Sequence, residues 1–502
     1  MEGDFLLDSS LFKKQIRDEI LKSKNKNDQI YSIVDRALHD QSIAAKLSNL
    51  ILQKATKNSG RSKMGRKTTP PLLPSLQFTT NTDRLAVIEN LHRHWIQTLK
   101  ASLAEKCCGM PLMRVHSDLE PPLILADSET RHQFKGVYDA VDFLDVIIGM
   151  DHPNVADGCS FGWGLVHLRL LTVSLGELAC YFSELEIGVR HQGVDDDLRG
   201  WFAEERNEMA ERVLADGYRP LVLRFLRCGA PKGLRGSLWL QALGIKVGPQ
   251  ESSYFSLLSE EVRRVSMIVD EAINRDCSSP LADEDYFVFS DIILESTLSF
   301  ARDPWLLENS SARGACFLAG SLSGRQYVFP PNGFLPPRGL SQYFYPLCFC
   351  YASVDELYFI GRALWAQYWC RLHTISSSRN TLIPLLVLFE SLLNEFAPKL
   401  CSHLVRLGTH PTRISFPWIL YAFSSYLPAE QVLLLWDRVI GFDSLELLPL
   451  LAVAVFLFRS SSLMAASDAD EVLRILSDAT ELRVIPLLQM VLSSPGSLTR
   501  SD

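Results

Sequence analysis

Between residues 225 and 490 nearly every apolar run in this chain has the length or the spacing of a helix. That periodicity limits the fold more than any other feature. The clearest runs are 354–368, 382–396, 400–407, 417–426, 430–439 and 445–458. Short stretches with Pro, Gly, Ser and Asp divide them, and no segment alternates in polarity as a half-buried strand would. This half of the chain is expected to be all-α, built as many helices around one core.

With 502 residues, 47% of them hydrophobic and 22% charged, the chain has material for two or three domains and a large core. A formal charge of -8 and a pI near 5.8 argue against a chain-wide nucleic-acid footprint, so no nucleic-acid partner is expected. The 11 cysteines are scattered. Cys107 and Cys108 are adjacent and Cys348 and Cys350 are two apart, which matches neither zinc nor redox spacing. They read as reduced thiols of a cytoplasmic protein, and no metal site is expected. The N-terminus is acidic, without the basic flank of a signal peptide. The greasiest run, 447–458, contains Pro449 and falls short of the ~18 apolar residues a membrane span needs. It is expected to be a buried core helix.

Residues 1–56 carry apolar positions at helical spacing, with Phe12, Ile16 and Ile20 four apart. Residues 57–80 open with a basic, polar, turn-rich stretch and are expected to form a flexible linker. Residues 81–215 return to helical spacing through Leu85, Ile88, Trp95, Leu99 and Leu103. His92 and His94, two apart on that helix, point in different directions and make poor paired ligands. Gly158-Cys-Ser-Phe-Gly162 has the Gly-x-Ser-x-Gly form of a hydrolase elbow. The preceding 151–157 is no strand, so Ser160 lacks the context a nucleophile needs.

At 229–239 stands Gly-Ala-Pro-Lys-Gly-Leu-Arg-Gly-Ser-Leu-Trp, too rich in Gly and Pro for a helical turn at its start. A bent lead-in over 229–233 should hand over to a helix, on which Arg235 and Trp239 share a face. Gly229, Pro231, Leu234, Arg235 and Trp239 resemble the opening of the TBC domain, the GTPase-activating module that acts on Rab GTPases. Four later motifs follow in the family's order. Ile273-Asn-Arg-Asp276-Cys-Ser-Ser279 is similar to its Ile-x-x-Asp-x-x-Arg motif, with Ser279 in the arginine position. Leu294 to Pro304 is similar to the helix that follows. Aligned on Gly339, the stretch 335–346 puts Pro336 at the tyrosine and Arg338 at the glutamine of Tyr-x-Gln. Trp418, Tyr426, Trp436 and Asp437 fall in motifs similar to the later helices, where a Trp-Asp pair closes the core. Residues 306–331 are longer than usual and look like an inserted loop.

The resemblance spans 229–458, about half the chain, and places a TBC (Rab-GAP) domain at 216–495 behind a mainly helical N-terminal region. It implies a regulator of Rab GTPases in vesicle trafficking that acts in trans, with no catalytic activity of its own. GTP and magnesium would be carried by the partner, so this chain needs no cofactor. Membrane contact would come only through the Rab, recruiting a cytoplasmic protein to endomembranes. Such a domain offers an arginine to the γ-phosphate and a glutamine to the attacking water. With Ser279 and Arg338 in those places, activation by the usual route is expected to be weak or unconventional. Arg275, one turn before Ser279, and Arg338 are the candidate substitutes. The alternative is a scaffold that binds GTP-bound Rab without hastening hydrolysis.

Overall fold

The computed structural model describes residues 88, 90–98, 101, 113–115, 173–195, 200–278, 288–312, 317–322, 325–376 and 378–493. The helices and linker expected over 1–80, the Gly-x-Ser-x-Gly stretch and Ser279 lie outside the described residues.

The centre of the fold is a helix that is apolar all round. In α14 (Leu447–Phe458) every side chain from Leu447 to Phe456 is buried, as a helix without a polar face must be. Helices α10 (Leu382–Phe396), α12 (Pro411–Leu420) and α17 (Val484–Leu492) pack against it. Beside it, α13 (Ala429–Phe442) is buried on all sides except at Glu430. Gly441 lets α13 approach α3 (Arg219–Arg227) closely: a Cβ there would sit 2.7 Å from the Arg227 backbone nitrogen. A short α11 (Pro398–Arg406) lies beside α10. The small helices α15 (Ser460–Ala465) and α16 (Ala469–Ser477) lead into α17.

On the other flank lie α4 (Arg235–Leu243), α5 (Pro249–Arg264), α6 (Ile268–Cys277), α7 (Ser290–Arg302), α8 (Trp305–Asn309) and α9 (Val354–Leu364). Most join one continuous apolar core with α13 and α14. Helix α6 is the exception. Its Val269 and Ile273 bury with Met267 and Ala301 in a separate small cluster, where Leu335 also packs. Two elements ahead of residue 216, α1 (Leu175–Tyr181) and α2 (Gly200–Asp216), send Leu175, Leu178, Ala210 and Val213 into the main core.

The expected helical runs are present with shifted ends. The run 382–396 is found with the same bounds. The run 417–426 is not: α12 starts at Pro411, and Pro417 lies inside it. Proline favours a first turn, and Pro411 already fills that place. Ala422 and Phe423, at φ 47° and 65°, then stop the helix. The run 354–368 leaves α geometry after Leu364 and widens to a π-helix over Trp365–Trp369. Ser311 caps that widened turn, donating its N–H to the Ala366 carbonyl at 2.8 Å.

Two short ladders accompany the helices. β1 (Met113–Val115) pairs antiparallel with β2 (Val265–Met267), and β3 (Phe317–Leu322) with β4 (Arg325–Phe329). The second lies within 306–331, expected as a loop. Neither ladder forms a layer of the core, and the fold is all-α. Among the described residues no helix is long and apolar enough to cross a membrane.

Candidate functional site

Two constellations hold the residues singled out in the sequence. The first is a buried clasp centred on Asp437, which is fully buried. Its carboxylate accepts Nε of Arg235 at 3.1 and 3.2 Å and Nη2 of Arg235 at 3.1 Å. It also accepts Nε1 of Trp239 at 2.8 Å and the backbone N–H of Ala230 at 3.0 Å. The shared helical face of Arg235 and Trp239 is thus a face turned to one carboxylate. Trp436, next in the chain, packs between Trp239 and Trp369, at 6.3 and 4.9 Å between ring centroids. Trp418 is stacked on Tyr426 at 4.2 Å. Arg438 is also buried, and it donates to the carbonyls of Leu434, Gln192 and Cys228 at 2.9–3.1 Å. Gly229, at φ 95°, makes room for it: a Cβ would lie 2.6 Å from its guanidinium. Burial and neighbouring arginines push Arg438 down to about 10. Arg206 lies over the Phe225 ring at 3.7 Å and donates to the Gly229 carbonyl at 2.5 Å. This clasp joins the opening motif to the Trp-Asp pair, and the Asp437 carboxylate is spent on donors within it.

The second constellation lies at the C-terminal end of α6. Ile273 is 1% exposed and anchors the helix in the small cluster, which frees the far face for solvent. Asp276 reaches out of the helix to the 335–341 loop. Its two oxygens accept the N–H groups of Gly339 at 2.5 Å and Ser341 at 2.9 Å. Burial raises the Asp276 carboxyl above its usual range, against the opposing pull of those donors and of the Arg338 charge. The loop is a type II turn: Leu340 N–H returns to the Pro337 carbonyl at 3.2 Å, and Gly339 sits at φ 83°, ψ 17°. Only glycine takes that conformation without strain, and Tyr421 leaves no room for a side chain, its ring 2.4 Å from where a Cβ would be. The Tyr421 hydroxyl donates to the Arg338 carbonyl at 2.9 Å.

Arg338 therefore occupies the outer corner of a turn fastened from both sides, and it is exposed. Gln342 is 5% exposed and lies in the short 3₁₀ turn Leu340–Tyr343, on the inner side of Gly339. Behind the loop, the Tyr343 hydroxyl donates to the Leu420 carbonyl and lies 2.9 Å from Nε2 of His373. Burial lowers His373 to about 3, so the ring is neutral. Cys277, beside the motif, is pushed up to about 12 by burial and is a protonated thiol rather than a nucleophile.

Of the two candidate substitutes, Arg275 is on the surface and bound to Glu271, with Nε and Nη2 at 3.0 and 2.9 Å from one carboxylate oxygen. The structure brings Asp276, Gly339 and Arg338 together and leaves Arg275 on a separate, solvated face. Sequence reasoning did not find Tyr421, Ser341 or the Asp270–Arg302 pair. Arg302 meets both oxygens of Asp270 at 2.6 Å, and Asp270 caps the start of α6 by accepting the Met267 N–H at 2.8 Å. An acidic residue at the third position of α6 is a start signal that could have flagged Asp270. Nothing local marks Tyr421.

The all-α fold agrees with the family that comparison finds. The Rab-GTPase-TBC domain matches residues 339–464, a stretch that begins at the glycine of the pinned loop. The human protein "TBC1 domain family member 19" is 36% identical over 421 residues, covering 79% of this chain and 80% of that protein. The chain belongs to the TBC domain family. A crystal structure of a Chlamydomonas flagellar RabGAP TBC domain is 14% identical, with a TM-score of 0.38, over 54% of this chain and 83% of that one.

Proposed function

We propose that this protein regulates a Rab-type small GTPase in trans, as a GTPase-activating protein with both customary fingers substituted. Ser279 takes the arginine place and Arg338 the glutamine place. The GTP and magnesium belong to the partner, and membranes are reached through it. Phosphoryl transfer to water depends on positioned charge at the γ-phosphate, and losing an arginine finger costs about 10³–10⁵ in rate, or roughly 4–7 kcal/mol. A serine hydroxyl does not replace that charge, so acceleration by this chain is weak and runs through Arg338.

The observation that carries this reading is the pinned turn. Asp276 and Tyr421 grip the 338–339 peptide from its N–H and its carbonyl, just after Arg338, whose side chain is exposed. A backbone fixed in advance lowers the entropy lost when the cation it carries meets an anion. The pairing of Arg275 with Glu271 favours a second reading, a scaffold that retains GTP-bound Rab without speeding turnover.

Single-turnover GTP hydrolysis across a Rab panel tests both. Activation predicts at least one Rab whose hydrolysis is accelerated by the wild type, with the gain reduced about tenfold or more by Arg338→Ala and unchanged by Arg275→Ala. If no Rab is accelerated while GTP-locked Rab is still retained in a pull-down, the protein is a scaffold.

A further inference from the structure

Helix α6 is a strut with a joint at each end. At its C-terminal end Asp276 grips the Arg338 turn. At its N-terminal end it continues without a break from β2, and β2 is paired to a strand from far upstream. The register is Met113 with Met267, Arg114 with Ser266 and Val115 with Val265. Two further contacts converge on the same joint. Arg302 donates to the Val265 carbonyl at 2.8 Å, and it also donates to Asp270, which caps the Met267 N–H. The helix has 10 residues, and so short a helix does not hold itself together in water. Its direction is set by what fastens its ends together with the small cluster beneath it, where Val269 and Ile273 pack against Ala301, Leu294 and Leu298 of α7.

We propose that Met113–Val115 is a positioning strand for the Arg338 turn. It fixes β2, β2 fixes the start of α6, and α6 through Asp276 fixes the backbone at Gly339 and Ser341. The strand lies outside the segment 339–464 that matches the TBC domain. Residues ahead of the TBC domain thus complete the site. The ladder is only three residues long, so it opens far more readily than the core. The effect on a GTPase rests on the reading given above; the mechanical link does not.

The test is hydrogen exchange on the full-length chain, without any Rab. Opposed residues in an antiparallel ladder alternate between exchanging hydrogen bonds and not. Arg114→Pro and the double variant Met113→Pro, Val115→Pro therefore remove the ladder donors of β1 between them. Arg114→Ala keeps the backbone intact. Each net backbone bond is worth about fivefold in an opening equilibrium. The disruptive proline variant should speed exchange about tenfold or more across 265–277 and across 339–343. Arg114→Ala should match wild type, and α13 and α14 should keep their protection in all variants.

Unchanged exchange at 265–277 in both proline variants would overturn the proposal. So would a response confined to 265–267, or an equal loss throughout the core. In single-turnover hydrolysis the proline variant should lower the maximal rate and leave Rab affinity within about twofold. A wild type that accelerates no Rab would defeat the functional reading and leave the exchange result standing.

Discussion

Replacing Asp437 by alanine should nearly unfold the protein. The carboxylate receives Arg235, Trp239 Nε1 and the Ala230 N–H, with Arg438 Nη1 3.8 Å away. All of this is inaccessible to solvent, since Arg235 is 3% exposed and Trp239, Asp437 and Arg438 are 0%. Removing one member of a buried ion pair costs about 3–5 kcal/mol, because the other charge is left uncompensated. The indole and amide donors lose their acceptor as well, at about 1–3 kcal/mol each. These terms overlap, and a total of about 5 kcal/mol is comparable with the whole stability of a typical domain. Asp437→Asn, which retains one acceptor oxygen but no charge, should lie near 3 kcal/mol. Urea unfolding at constant m-value measures both. Arg275→Ala is the control, a surface pair whose loss should shift stability by no more than about 0.5 kcal/mol. A loss below about 1 kcal/mol for Asp437→Ala would refute the assignment of the clasp as the lock between the two ends of the fold.

Gly339→Ala should cost about 1–3 kcal/mol and loosen the Arg338 turn, since φ is 83° and the new Cβ would meet the Tyr421 ring. Exchange at 339–341 reports it, and unchanged exchange and stability would contradict the turn geometry. Acid should destabilise the protein through two histidines that burial holds neutral, His191 at about 4, where Arg438 adds to the effect and Asp195 opposes it, and His373 at about 3. Both lie below the unfolded value of about 6.5, so the unfolded chain binds more protons there and stability falls as pH drops from about 6.5 toward 4. The loss should approach about 3 kcal/mol per histidine by pH 4. His373→Asn should remove its share of that slope in urea unfolding; an unaltered slope would contradict a neutral His373.

The amino-acid sequence by itself determined the helices and much of their extent, because helical periodicity is local and repeats within a few turns. The apolar run at Leu382–Phe396 needed no partner to be read, and 447–458 was legible as a core helix from its lack of a polar face. The order of the motifs also singled out Asp276, Gly339, Trp436 and Asp437. Tertiary structure alone decided what those residues touch. Asp437 meets Arg235 across 202 residues, Asp276 meets Gly339 across 63, and Tyr421 meets Arg338 across 83. No periodicity encodes such pairings, since each depends on how separate helices are packed. The same holds for Arg275, which could lean toward the finger position or toward Glu271, and which its neighbour one turn away captures. The β1–β2 pairing was invisible for a further reason: three residues are too few to show alternation, and the bonds are made by backbone, which every sequence shares.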